Sequence, residues 1–358
     1  MKVVKKILKI LLIVILVLVV AVGGLLGWLT ATEFRPEPVE EVPVSLAGDV
    51  DTIRPGESLD VLSWNVGYGG LGAESDFFMD GGKNSRSADK ATVNRYLEGI
   101  NATILEGGYD LVILQEVDSD SGRTYGIDER NFLDHGMSCE SYAMNYSCPF
   151  VPVPVPPIGK VHSGLFTMTD DQVIQRAERH SLPCPFSWPL RIANLKRCLL
   201  VSYLPIQGSD KQLVLVNLHL EAYDSGEGKI AQTRQLRDFI QSEYEKGNYV
   251  IAGGDFNQIF PGGLETYPNE HPDLWTPGLL DDSYLPEGEG WRWAYDLSTP
   301  TCRLLNQPYD PSDTANTQYY VIDGFILSPN VGLELVETLD LDFANSDHNP
   351  VHIRVTLN

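Results

Sequence analysis

The sequence predicts a mixed α/β or α+β sandwich, carried behind one apolar N-terminal helix. Three observations predict it. Short apolar runs of strand length alternate with amphipathic helical stretches through residues 58–358. Most of those helices join strands distant in sequence. No linker, internal repeat or low-complexity tract divides the region, so it reads as one domain.

The elements follow in order. Ile10 to Leu29 is a run of 20 residues without a charge. At about 1.5 Å per helical residue it covers roughly 30 Å, the thickness of a bilayer core. Lys2, Lys5, Lys6 and Lys9 precede it, and positive charge stays on the cytoplasmic side. Residues 1–32 are therefore expected to form an uncleaved, single-pass cell-membrane anchor with the rest of the chain extracytoplasmic. A cleaved signal peptide shares the basic start, but its apolar core is shorter and ends in an A-x-A-like site, for which Ala21-Val22-Gly23 is a poor match. Residues 33–57 carry Pro36, Pro38, Pro43 and Pro55 among acids and are expected to be an extended, solvated stalk.

Strands are expected at Ser58–Asn65, Asp110–Leu114, Gly164–Met168, Val173–Ala177, Cys198–Tyr203, Leu213–Leu218 and Tyr249–Ala252, then at Tyr320–Leu327, Leu333–Thr338 and Val351–Leu357. Helices are expected at Ala88–Leu105, stopped by Gly107-Gly108, and at Lys229–Glu245. Val151 to Pro157 alternates valine and proline and reads as a surface polyproline loop.

The 358 residues hold 49 acids against 26 Lys plus Arg, a formal charge of −23. Since the N-terminal lysines are unopposed, the presumed outer domain is more acidic still. Affinity for duplex DNA comes from cationic side chains displacing counterions, so a DNA-coating protein is disfavoured. In an extracytoplasmic setting the five cysteines become candidate disulfide partners, with Cys139/Cys148 favoured by spacing.

The chemistry collects where polar residues follow apolar strand runs, because a strand's carboxyl end delivers them to one rim of a sheet. Asn65, Gln115-Glu116, Asn217 with His219, Gly254-Asp255-Phe256-Asn257 and Asp323 stand in such places, and Ser346-Asp347-His348-Asn349-Pro350-Val351 precedes the last strand. Carboxylates, amides and imidazoles without a thiolate suit a hard divalent cation and phosphate chemistry. Hydrolysing a phosphate ester needs a cation to neutralise developing charge, a base for water, and donors for the phosphoryl oxygens. Glu116 is the expected cation ligand and Asp255 the base. Asn257, His219 and His348 are the donors, with Asp323 orienting a histidine.

This ordered set resembles the endonuclease/exonuclease/phosphatase superfamily, the DNase I-like fold. The landmarks are W-N (Trp64-Asn65), Q-E (Gln115-Glu116), N-x-H-L (Asn217 to Leu220), G-D-F-N (Gly254 to Asn257), I-D-x-x-I (Ile322 to Ile326) and S-D-H-x-P-V (Ser346 to Val351). G-D-F-N alone is a weak match, whereas six in order are a strong one. The resemblance implies a four-layer sandwich of two mixed β-sheets flanked by helices, with a Mg²⁺-dependent, alternatively Mn²⁺-dependent, phosphoesterase site at one rim. It implies Glu116 as principal metal ligand with Asn65 and Asp347 close to the metal, and Asp255 and Asn257 at the nucleophilic water or leaving group. His219 would bind the phosphoryl oxygen, and Asp323 would pair with His348 as an acid/base dyad.

Nuclease members add Arg and Tyr side chains that enter a DNA groove, and Arg123 and Tyr125 are the candidates here. Phosphoinositide phosphatases carry a basic, extended form of the late motifs that is missing. Arg303 is read either as a phosphate contact or as a surface salt-bridge residue, and Asn217 joins it as a substrate-binding candidate. Trp275, Trp291, Trp293 and Tyr295 are read chiefly as core; His162 and His271 are read as structural. The expected function is hydrolysis of a phosphodiester or phosphomonoester, with a lipid or small molecule favoured. The alternatives are an extracellular nuclease and a binding module without turnover.

Overall fold

The computed structural model describes residues 2–133, 136–313 and 316–358. Two seven-stranded sheets stack face to face. The first runs β1 (Val39–Val42), β7 (Arg176–Ser181), β8 (Cys198–Pro205), β9 (Gln212–His219), β10 (Tyr249–Asp255), then the strands Asp323–Leu327 and Arg292–Ala294. The second runs Val331–Thr338, Val351–Leu357, β3 (Ser58–Asn65), β4 (Leu111–Asp118), β6 (Gly159–Thr169), β5 (Cys139–Val151) and β2 (Val44–Leu46). Both sheets are mixed: β3 with β4 and β9 with β10 are parallel, and the other pairs within the two sheets are antiparallel.

The period-2 geometry of a strand explains the layering. On β9, Leu213 and Leu215 enter the core between the sheets, while Val214, Val216 and Leu218 face outward beneath Leu236 and Ile240 of a helix. On β3, Val61 points inward, while Leu62 and Trp64 meet Val93, Leu97 and Ile100. The covering helices are α2 (Lys90–Gly107) and α4 (Glu227–Glu245), separated in chain order by the single turn α3 (Arg130–Leu133). Asp89 caps α2 by accepting from the Thr92 N–H, and Gly108 ends it at φ 61°. The expected four-layer sandwich is therefore present; most strand ends are close to those read from the sequence, but β6 begins at Gly159 and the expected Tyr320–Leu327 strand divides into Tyr319–Tyr320 and Asp323–Leu327.

Three differences matter for the site. First, residues 33–57 are not a free stalk. Val39–Val42 extends the first sheet against β7 and Val44–Leu46 extends the second against β5. Ile53 is buried in the central core, and Glu33 pairs with Arg191 at 3.1 Å. The prolines and acids suggested solvation, but alternate residues in 39–46 suffice to close two open sheet edges. Second, β5 had no counterpart in the expected elements. Its inward positions include Ser141 and Asn145, which break the apolar alternation that marks a strand. Third, Val173–Ala177 shifts to Arg176–Ser181, because β7 is paired on both sides and tolerates charge on its open face.

α1 (Lys2–Ala31) is long and apolar enough to cross a membrane, a test that a signal sequence also passes. Nearly all of it is exposed, but its last turns dock on the domain: Leu25 and Leu29 pack with Tyr146, Val151 and Ile192. Cys139 and Cys148 lie nine residues apart along β5, about 30 Å at strand rise, too far for a disulfide. All five cysteines are free thiols.

Candidate active site

Adjacent strands set the first three side chains level with one another. In register, Asp255 at the end of β10 lies opposite His219 of β9 on one side and Asp323 on the other. Gly254 permits this approach: at φ 142°, a Cβ there would meet the Leu218 carbonyl oxygen at 2.0 Å. The chain then turns sharply through Asn257 at φ 51°. That turn lets the Asn257 N–H donate to Asp255 Oδ1 at 2.8 Å while its amide donates to the Leu220 carbonyl at 2.9 Å.

The second sheet closes the site from the other side. Asn65, ending β3, donates to Asp255 Oδ2 at 3.0 Å and faces Glu116 Oε1 at 3.4 Å. Glu116 sits at φ 57° in the register shift that interrupts the β4–β6 pairing, so the bulge turns its carboxylate toward the cleft. The loop before the last strand is held on β3: Ser346 Oγ donates to the Asn65 carbonyl at 2.7 Å, and the Trp64 indole donates to the His348 carbonyl at 2.8 Å. His348 Nδ1 thereby reaches Asp323 Oδ2 at 2.8 Å. Its Nε2 faces Asp255 and Asp347, each at 3.9 Å, while His219 Nε2 lies 3.4 Å from Asp255.

The two imidazoles are tuned in opposite directions. Burial, with Arg197 and His348 as neighbouring cations, holds His219 well below its ordinary value, so it is neutral. Burial works most strongly against charge on His348, but the groups around it, Asp323 foremost and then Cys302 and Asp347, together hold the ring well above its ordinary value. Asp255 is pushed up to about 7, chiefly by burial and then by Asp323. Glu116 and Asp347 are also raised by burial. Two acids raised this way, side by side in a cleft, are short of positive charge.

A hard divalent cation fits that shortage. Glu116 and Asp347 offer anionic oxygens on the cleft wall, and Asn65 Oδ1, which accepts from the Gly67 N–H, offers a neutral one. Gly67 itself must lack a side chain, since a Cβ would meet Asp347 Oδ1 at 2.8 Å. The compact sets Asp255–Asp323–His348 and Cys302–Asp347–His348 also have metal-ligand spacing. They suit a cation less well: His348, its Nδ1 on Asp323, is held protonated and so offers no lone pair, and burial pushes the Cys302 thiol up to about 12.

Glu116, His219, Asp255, Asn257, Asp347 and His348 line a single cleft of about 510 Å³, with Asn65 and Asp323 behind them. Asn217 and Arg303 do not join them. The Asn217 amide is locked between the sheets, donating to the Leu114 and Phe166 carbonyls and accepting from Gln115. Arg303 is buried, not on the surface, and its guanidinium donates to the carbonyls of Gly72, Ser75 and Gln307. Neither side chain, expected to bind substrate, reaches the cleft wall. Trp291 and Trp293 belong to the core under α4 with Tyr295, whereas Trp275 lines the cleft and donates to the Ala222 carbonyl.

Sequence reading named Arg123 but missed Arg197, Tyr68 and Asn145 on the same wall. Arg197 lines the cleft, ion-paired to Glu221 at 3.3 Å and donating to the His219 carbonyl at 3.1 Å. Its signal was position: it directly precedes β8, which runs antiparallel to β9, so its start shares the rim where β9 ends. Arg123 is anchored on Asp118 at 2.8 Å with its guanidinium 3.6 Å above the Tyr68 ring. Two donors on the wall, Tyr68 Oη and Asn145 Nδ2, are buried without a protein partner. Tyr125, by contrast, donates to the Ser87 and Ala88 carbonyls.

Residues 62–348 match the model of the Endonuclease/Exonuclease/phosphatase family. Among solved structures, an endonuclease/exonuclease/phosphatase from Beutenbergia cavernae superposes with TM-score 0.53 at 16% identity, covering 84% of this chain and 72% of that one. A functionally unknown conserved protein from Enterococcus faecalis gives 0.54 at 14% identity, covering 84% and 100%. ANGEL2, described as a 2′,3′-cyclic phosphatase, gives 0.52 at 14% identity, covering 89% and 99%. At these identities the likeness is one of fold. No curated protein matches the sequence at a significant level.

Proposed function

The chain belongs to the Endonuclease/Exonuclease/phosphatase family, and from that premise we propose that the rim cleft hydrolyses a phosphate ester with a bound divalent cation, Mg²⁺ or Mn²⁺. The observation that carries this reading is the register of His219, Asp255 and Asp323 on three adjacent strands, completed from the other sheet by Asn65 and Glu116. Glu116, Asp347 and Asn65 would hold the cation, which supplies charge neutralisation at the phosphoryl oxygens.

The protein's own groups perform the proton work. Asp255, fixed by Asn65 and Asn257 and pushed up to about 7, takes the proton from a water that attacks phosphorus. As the new P–O bond forms, the ester P–O bond breaks, and His348 gives the Nε2 proton to the departing oxygen. Asp323 keeps that ring charged and aimed. Neutral His219 donates from Nε2 to a phosphoryl oxygen. The fold's acidity disfavours duplex DNA as the ester. The test is turnover of a panel of phosphodiesters and phosphomonoesters by the full-length protein with Mg²⁺ or EDTA. Metal-dependent turnover lost in Asp255→Ala supports the reading; equal turnover in EDTA sinks it.

A further inference from the structure

The cleft has two chemically different ends. One holds the carboxylates and imidazoles already described. The other is a trough lined by Leu26 and Leu29 of α1, Val151 and Ile158 of the β5–β6 hairpin, and Leu190 and Ile192 of the loop before β8. The helix with the length and hydropathy of a membrane span is thus itself a wall of the cavity. Around the trough the rim is apolar and open: Val153 is 60% exposed, Val155 93%, Trp188 52% and Leu190 64%. Trp188 ties this rim to the helix by donating from Nε1 to Thr30 Oγ1 at 3.1 Å. An indole with one apolar face and one satisfied N–H is the residue type that settles at a membrane surface.

We infer that the ester is a membrane lipid, entering sideways along α1 with its phosphate at the carboxylate end and the first part of its chain in the trough. This rests on the phosphoesterase reading and names its substrate class. A soluble ester gains nothing from an apolar wall continuous with a membrane helix. A protein partner would have to share the trough with lipid already in contact with α1. A volume of about 510 Å³ suits a headgroup and the adjoining chain segment, while the rest of the lipid stays in the bilayer. Asn145 Nδ2 and Tyr68 Oη, on the wall of the same cleft and without protein partners, are available to bond the polar linkage of such a molecule.

The test uses the full-length protein in vesicles of phosphatidylcholine, phosphatidylglycerol, phosphatidic acid and sphingomyelin with Mg²⁺. Release of water-soluble phosphate is compared with hydrolysis of bis(4-nitrophenyl) phosphate in the same vesicles. Val153→Glu and Leu190→Glu change exposed side chains, so folding is spared, yet each puts charge in the trough. The expected result is lipid turnover by the unaltered protein and a drop of about tenfold or more in the lipid-to-soluble rate ratio in each variant. An unchanged ratio overturns the inference. Turnover of the nitrophenyl ester with no lipid cleaved overturns it while leaving the phosphoesterase reading intact. Turnover of neither overturns both.

Discussion

Asp255→Asn should make the protein inactive and, at alkaline pH, more stable. In the fold the Asp255 carboxyl is pushed from 3.8 to about 7, first by burial and then by Asp323. That rise corresponds to about 4 kcal/mol of native-state cost once the group ionises. The sign follows from the direction. A carboxyl raised on folding favours the native state while protonated, and that advantage is lost as pH climbs from about 4 to about 7. Asparagine never ionises, so it escapes the cost, but it has a price of its own. Asp255 Oδ2 accepts from Asn65 and Asn257, and an amide NH₂ in that place points a donor at two donors, losing about 1–2 kcal/mol.

The difference curve should therefore cross zero. Asp255→Asn should be less stable than wild type by about 1–2 kcal/mol near pH 4 and more stable by about 2 kcal/mol near pH 8. Thermal or urea unfolding in EDTA across this range measures it. The same variant should lose about 10²- to 10⁴-fold in turnover, the range for a removed acid/base group. If Asp255→Asn is equally destabilised at both pH values, burial does not raise this carboxyl and the assignment of the base loses its physical ground.

Other outcomes follow from the same geometry. Asp80 is pushed up to about 7 by burial, and Tyr223 donates to its Oδ1; Asp80→Asn keeps that bond and should remove about 2–4 kcal/mol of the stability loss between about pH 4 and about pH 7, read from melting curves. Glu116→Gln should raise the metal concentration for half-maximal activity at least about tenfold, measured by titrating Mg²⁺ into chelator-treated protein. Arg303→Met should lower stability by about 2–4 kcal/mol through abandoned buried carbonyls, with KM little changed; a raised KM at unchanged stability would restore it as a substrate contact. Alkylation under denaturing, non-reducing conditions should label all five cysteines, as mass spectrometry will show.

Much of the site was legible because its residues end strands. Asn65, His219 and Asp255 follow apolar runs that the period-2 pattern exposes, and Asp323 opens a strand antiparallel to β10 that brings it to the same rim. Glu116 was legible for the same reason, although the bulge that aims it was not. What stayed hidden depends on partners remote in sequence. Arg303 and Asn217 look like ligand-binding residues until the carbonyls around them are known, since a buried guanidinium or amide and a phosphate-binding one have the same letter. Arg197 stands before a strand instead of after one, and only the antiparallel β8–β9 pairing turns its position into a rim position. Residues 33–57 have a solvated composition, yet four-residue and three-residue strands need few apolar side chains to close sheet edges.

The central claim is that this rim, with a divalent cation, hydrolyses phosphate esters. The most direct measurement is the steady-state rate on bis(4-nitrophenyl) phosphate and a nitrophenyl phosphomonoester for the full-length protein, Asp255→Ala and His348→Ala, each with Mg²⁺ and with EDTA. The account predicts turnover of at least one ester by the unaltered protein with Mg²⁺, abolished by EDTA, restored by added metal, and at least about 10²-fold lower in both variants. Metal-independent turnover, or rates equal to wild type in both variants, would contradict it.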